Sequence, residues 1–180
     1  MRLKERVRII VDASMMEELC EYNSIYQREL TILALSDIEN SHVPQFPYYR
    51  ISNEIAPSCK PLIVKQALMM KASHTIPMAL RSSWHPESFQ MCGDLLYLFP
   101  GYKFSLDEIF CTLYLNPSQR ILLKTHDILQ IDIMEYSHGW YANLELETKS
   151  IAILRKHLPM RTIRILKNLT SEPLCENTKR

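Results

Sequence analysis

The stretch Ile131-Asp132-Ile133-Met134-Glu135-Tyr136-Ser137-His138-Gly139-Trp140-Tyr141-Ala142-Asn143-Leu144-Glu145-Leu146-Glu147 decides the fold. Before its break, Ile131 and Ile133 stand two apart across Asp132. After it, Trp140, Ala142, Leu144 and Leu146 alternate against Tyr141, Asn143, Glu145 and Glu147. A period of two puts one set on a buried face and the other in water, and Ser137-His138-Gly139 supplies the turn. The pattern predicts a β-hairpin at about 128–147 with an acidic outer face.

Upstream, Ser105-Leu106-Asp107-Glu108 has the form of a capping box. Leu106, Ile109, Phe110 and Leu113 follow at helical spacing, so a helix is expected until Asn116-Pro117 stops it. Residues 95–99 are an apolar run closed by Pro100-Gly101 and read as a buried strand, while 82–86 read as a loop. Residues 62–70 favour helix, ending no later than Pro77, and the four prolines in 41–61 break up that stretch. The apolar run 30–35 has the length of a buried strand. Ser14-Met15-Met16-Glu17 is a second capping box, opening a short helix through Leu19, Tyr22 and Tyr26, and residues 6–12 alternate as a first strand. Downstream, 149–158 has helical spacing until Pro159, and 161–166 reads equally as strand or helix. The class expected is α+β: a largely antiparallel sheet with a late hairpin and two to four helices. A single globular domain is expected over 1–170, with a short mobile tail at 171–180.

Composition removes several function classes. Only 3 glycines occur among 180 residues, far below the usual share of about 7%. A Walker A loop and a dinucleotide fingerprint need clustered glycines so that backbone can approach phosphate, and neither is present. The five cysteines, Cys20, Cys59, Cys92, Cys111 and Cys175, are odd in number and scattered. With a charged start at Arg2, Lys4, Glu5 and Arg6 in place of a signal peptide, they indicate free, mostly buried thiols in a reducing compartment, cytoplasm or nucleus. No apolar run reaches the length of a membrane span.

The net charge of +1 conceals a division along the chain. Arg2, Lys4, Arg6 and Arg8 against Glu5 give +3 over residues 1–8. Lys149, Arg155, Lys156, Arg161, Arg164 and Lys167, with no acid between them, give +6 over 149–167. The last thirteen residues balance, which leaves −8 on residues 9–148. Basic ends flank an acidic middle. In the later segment the cations are interleaved with Ile151, Ile153, Leu154, Leu158, Ile163, Ile165 and Leu166, a pattern that presents charge on one side. Such a surface suits phosphate backbones or anionic headgroups. The competing reading is internal: these cations lie against the hairpin acids Glu135, Glu145 and Glu147 as weak surface pairs.

Other candidates carry less. No two cysteines have zinc-ligand spacing, and neither His85 with Cys92 nor His126 with His138 supplies it, so no metal or other cofactor is expected. His126-Asp127 has the residue types of half a catalytic triad, but adjacent strand residues point to opposite faces. Trp84-His85-Pro86-Glu87 offers an aromatic and an imidazole in a loop, and reads first as a buried Trp anchoring that loop. Phe46-Pro47-Tyr48-Tyr49-Arg50 offers rings beside a cation, and reads first as a loop packing its own aromatics.

In general character the chain resembles small viral structural or accessory proteins: Gly-poor α+β, free thiols, basic ends and no catalytic constellation. Among these it is similar to a matrix protein of a negative-strand RNA virus, whose copies meet nucleocapsid, membrane and one another. The P-P-x-Y and P-S-A-P motifs of some animal-virus matrix proteins are absent. The expectation is a non-enzymatic assembly protein of the virion or cell interior. It would self-associate and bind nucleocapsid, RNA or an anionic membrane surface through its basic ends. A protein-binding adaptor or host-factor antagonist, and a small enzyme of unfamiliar type, are the alternatives.

Overall fold

The structure is a computed structural model that describes residues 2–36, 46–75, 80–101 and 108–149. In chain order its elements are β1 (Arg2–Val11), α1 (Ala13–Leu35), α2 (Lys60–Ser73), β2 (Arg81–Trp84), β3 (Phe89–Cys92), β4 (Leu95–Leu98), β5 (Ile109–Tyr114), α3 (Pro117–Thr125), β6 (His126–Tyr136) and β7 (Gly139–Thr148). Single 3₁₀ turns stand at Tyr48–Arg50, Pro57–Cys59 and Pro86–Ser88. The strands form one sheet in the order β2-β6-β7-β1-β5-β4-β3, with every neighbouring pair antiparallel. The α+β class therefore holds, with three α-helices among the described residues.

The hairpin forms in the expected register, with Ile131 opposite Leu144 and Ile133 opposite Ala142. Ser137 and His138 make its turn, and Gly139 follows at φ +130°, a conformation that side chains with a Cβ rarely adopt. β1, the first strand of the chain, lies at the centre of the sheet between β7 and β5. Its inward Val7 and Ile9 join Trp140, Ala142, Leu144, Leu146, Ile131, Ile133, Ile109, Cys111, Leu113, Leu96 and Leu98 in one buried layer.

Connectivity shows that the sheet curls. β2 and β3 are its outermost strands, and only four residues, His85 to Ser88, lie between them. Seven flat strands at about 4.8 Å spacing would part those edges by about 29 Å, whereas five chain steps reach at most about 17 Å. The sheet rolls until its two edges approach. α1 crosses the inner face, where Tyr22 stacks on the fully buried Trp84 with ring centroids 4.3 Å apart. α2 packs beside α1 and reaches the outward side of β2, where Gln66 Nε2 donates to Ser83 Oγ at 2.6 Å.

Several local expectations are corrected. Residues 30–35 are the last turns of α1, because Leu30 and Leu33 extend the buried stripe of Leu19, Tyr22 and Tyr26. That helix starts at Ala13, with Asp12 as its cap: Asp12 Oδ1 accepts from the Ser14 amide at 2.9 Å, so Ser14 is capped and does not cap. The helix expected from Ser105 is instead β5, with Ile109, Cys111 and Leu113 buried and Phe110, Thr112 and Tyr114 exposed; residues 105–107 lie outside the described residues. Asn116-Pro117, read as a stop, starts α3. Asn116 Oδ1 accepts from the Gln119 amide, Gln119 Oε1 accepts from the Asn116 amide, and Pro117 occupies the first turn, where no amide is needed. The loop expected at 82–86 is largely β2. Gly101 answers a close approach, since a Cβ there would collide with the Asn53 carbonyl oxygen. The expectations for 149–158, 161–166 and the tail at 171–180 lie outside the described residues, apart from Lys149.

Candidate functional site

The antiparallel pairing of β1 with β7 sets Arg2 opposite Glu147, Lys4 opposite Glu145, Arg6 opposite Asn143 and Arg8 opposite Tyr141. The first basic segment thus lies on the outward face of the sheet, against hairpin residues. Glu145 Oε1 accepts from Arg2 Nη1 at 3.4 Å, and Asn143 Oδ1 accepts from Arg6 Nε at 3.0 Å. The Arg6 guanidinium also sits 5.1 Å from the ring centre of Tyr136. Arg8 makes no ion pair or side-chain hydrogen bond and lies between Tyr141 and Tyr114 in register. The hairpin acids expected to meet the second basic segment are therefore engaged in part by the first.

Lys149, where the second basic segment begins, comes directly after β7. Its amide donates to the Thr125 carbonyl at 3.0 Å, and its ammonium reaches the Lys124 carbonyl at 3.4 Å and Asp127 at 3.8 Å. Because Arg2 pairs with Glu147, the start of one basic end and the start of the other share one end of the sheet. Arg155, Lys156, Arg161, Arg164 and Lys167 lie outside the described residues.

Two concave regions flank this face. A cleft of about 530 Å³ opens between α2 and the outward face of β2, β6, β7 and β1. Lys4, Lys65 and Arg81 line it, with Gln66, Gln130, Asp132 and Glu145 among their neighbours. Asp132 Oδ1 accepts from Ser83 Oγ at 2.5 Å and from Gln130 Nε2 at 2.7 Å, while Glu145 is engaged by Arg2. Sequence reasoning singled out Lys4 and missed Lys65 and Arg81. Each is a single cation in an unremarked segment, so only the fold brings them together.

The second region is the seam where the curled edges approach, a cavity of about 630 Å³. Phe89 and Met91 of β3 face Leu123 of α3 and Ile128 of β6 across it, and Arg120, Lys124 and Lys149 stand at its rim. Arg120 is tied to Asp94 by two short bonds of 2.5 and 2.6 Å.

His126 and His85, the histidines singled out from the sequence for catalysis or a binding corner, are held in structural bonds. Buried His126 has Nδ1 within 2.8 Å of Thr125 Oγ1 and 3.1 Å of the Leu122 carbonyl, and Nε2 within 3.2 Å of Thr148 Oγ1. Asp127 points the other way, into solvent. His85 Nδ1 accepts from the Glu87 amide at 3.3 Å. Cys59 is fully buried beside Ser88, and burial pushes its thiol up; burial pushes that of Cys111 up to about 12. Neither supplies a thiolate at neutral pH. Cys20 is half-buried and Cys92 exposed, so burial of the thiols is less general than expected. Phe46 and Tyr48 pack edge to face at 5.7 Å against the core, whereas Tyr49 is exposed. No group of three potential metal ligands occurs among the described residues, and no described helix is long and apolar enough to cross a membrane. No protein-family model matches the chain, and no curated protein matches it.

Proposed function

We propose that this chain is a non-enzymatic assembly protein, matrix-like in role, that self-associates and binds an anionic partner through its two basic ends. One observation carries the reading: the β1–β7 register, which sets Arg2 opposite Glu147 and so brings the start of residues 2–8 and the start of 149–167 to the same end of the sheet. Two cations that the net value of +1 hides, Arg2 and Lys149, thereby stand at one end of the sheet, which supports a joint role for the two segments they begin. The outward face supplies exposed Arg6 and Arg8 beside Tyr136, Tyr141 and Tyr114, cations interleaved with rings as suits the backbone and bases of a single strand. The structural bonds of His126 and the buried, protonated state of Cys59 and Cys111 also support a binding role over a catalytic one.

Replacing Arg161 and Arg164 by Glu tests this. Binding to labelled RNA or to anionic vesicles at low salt is expected to fall, and its salt dependence to flatten. Light scattering coupled to size exclusion is expected to show oligomers that grow with protein concentration. Unchanged binding at low salt, or a monomer at every concentration, overturns the proposal. A monomer recovered with one stoichiometric protein partner and no salt-sensitive RNA shift would favour an adaptor.

A further inference from the structure

Among the described residues, Lys4, Arg8, Arg50, Lys65, Arg81 and Lys124 have side chains that make neither an ion pair nor a hydrogen bond. The others are engaged: Arg2 with Glu145, Arg6 with Asn143, Arg28 with Glu29 and Glu54, and Arg120 with Asp94. Lys60 reaches the Ile51 carbonyl, Lys71 the Ser36 carbonyl, and Lys149 the Lys124 carbonyl and Asp127. Three of the six unpaired cations, Lys4 from β1, Lys65 from α2 and Arg81 from β2, line the single cleft between α2 and the sheet.

Three elements far apart in sequence place like charges around one hollow, and with three cations against the two acids Asp132 and Glu145 its lining keeps a positive balance. Glu145 is paired with Arg2, while Asp132 keeps its charge and turns its Oδ1 to Ser83 and Gln130 instead of to a cation. Arg81 adds an unmet demand: its Nε is buried and has no hydrogen-bond partner. A buried donor left unpaired is costly, and an anion bound at the guanidinium would offset both the missing acceptor and the mutual repulsion of the three cations. Gln66 and Asn143 of the same cleft carry amide groups that can donate to oxygen.

We infer that this cleft holds a phosphodiester of single-stranded RNA, gripped by Lys4, Lys65 and Arg81 as the strand passes onto the outward face of the sheet. The recess favours a strand over a bilayer, since a flat surface meets exposed cations, whereas a flexible chain enters a hollow between a helix and a sheet. The face beyond continues in the right chemistry. Arg81 lies in the register row that runs through Met134 and Tyr141 to Arg8, so a strand leaving the cleft meets a ring and then an unpaired cation. The site is separate from the basic ends apart from Lys4, although its RNA partner is a case of the anionic partner proposed above.

The test uses the full chain and a labelled single-stranded oligoribonucleotide, titrated by fluorescence anisotropy at several salt concentrations. Lys65→Glu and Arg81→Gln are each expected to weaken binding about tenfold, the worth of a hydrogen bond to a charged group. The slope of log affinity against log salt is expected to fall by about 0.7 per lost phosphate contact. Arg50→Glu, an equally unpaired cation elsewhere, is expected to leave both unchanged. Lys65 is exposed on α2, so its replacement does not depend on the fold tolerating a change at the partly buried Arg81. Unchanged RNA binding by Lys65→Glu overturns the inference. So does an equal loss with Arg50→Glu, which would indicate a diffuse field, or a loss restricted to phosphatidylserine vesicles, which would assign the cleft to lipid headgroups. If Lys65→Glu binds normally while the Arg161→Glu, Arg164→Glu protein does not, the cleft fails and the basic ends stand. The reverse result keeps the cleft and removes the ends.

Discussion

The two faces of the curled sheet are made by alternate residues of the same strands, yet they obey different rules. Inward, Trp84, Ile131, Leu144, Val7 and Leu113 exclude water almost completely. Outward, the neighbours of those residues are Ser83, Asp132, Asn143, Arg6 and Tyr114, a mixture of charge, amide and ring. The inner face answers to packing, because its free energy comes from apolar area removed from water. Apart from Ser83, which is buried where α2 reaches β2, the outer face is partly or fully exposed, so less of its composition is set by packing. Exposed Ile10, Phe110 and Tyr114 belong to that outward face as well, which keeps a sheet surface partly apolar where folding alone has no need of it.

The largest effect that separates the faces is expected at Trp84. Its ring is fully buried, stacked on Tyr22, and its indole nitrogen donates to Ser82 Oγ at 2.9 Å. Trp84→Ala is expected to destabilise the protein by about 3–5 kcal/mol in a denaturant titration, through lost transfer energy and a cavity that the surrounding strands cannot fill. A loss below about 1 kcal/mol would mean that the inner layer is not the stabilising core.

A second, smaller test probes the exception inside the core layer. Asn23 of α1 is fully buried, and neither its Nδ2 nor its Oδ1 has a hydrogen-bond partner. Four residues on, Gln27 Oε1 is likewise buried and unpaired. Removing a polar group that is out of water and unsatisfied recovers its desolvation penalty, so Asn23→Leu is expected to stabilise by about 1–2 kcal/mol, read as a rise in the denaturant midpoint. A loss of stability would show that α1 needs an amide there, and would weaken the view that the inner layer responds only to packing.

This division also explains what could be read from the sequence. The hairpin was legible because inner and outer residues differ cleanly in polarity, Leu144 and Leu146 against Glu145 and Glu147. β5 was not, because Phe110 and Tyr114 face outward and blur the alternation of Ile109, Cys111 and Leu113; with Leu106 they imitate helical spacing. β2 was hidden for the opposite reason, since its inward Ser82 is buried yet carries no apolar signal. Residues 30–35 were misread because a short apolar run has no period of its own. The basic ends were legible as composition, but that Arg2 and Lys149 share one end of the sheet depends on the pairing of Arg2 with Glu147 across almost the whole described chain. Lys65 and Arg81 stood outside any charge run, and only the cleft they share with Lys4, with no partner among the described residues for any of the three side chains, distinguishes them.

The smallest expected effect on stability is also the most discriminating. Arg8 lies on the central strand, opposite Tyr141 on one side and Tyr114 on the other, and its side chain makes no ion pair or hydrogen bond. If the outward face is dispensable to the fold, Arg8→Ala should change the unfolding free energy by no more than about 0.5 kcal/mol, as for surface positions away from any cap, core or network. If that face carries the anionic partner, the same substitution should lower RNA affinity and flatten its salt dependence by about 0.7 in slope. A substitution that leaves the fold alone and alters binding separates the two faces by function. One that destabilises strongly would show that the cation packs its stem into the structure, and the contrast between the faces would then be one of degree.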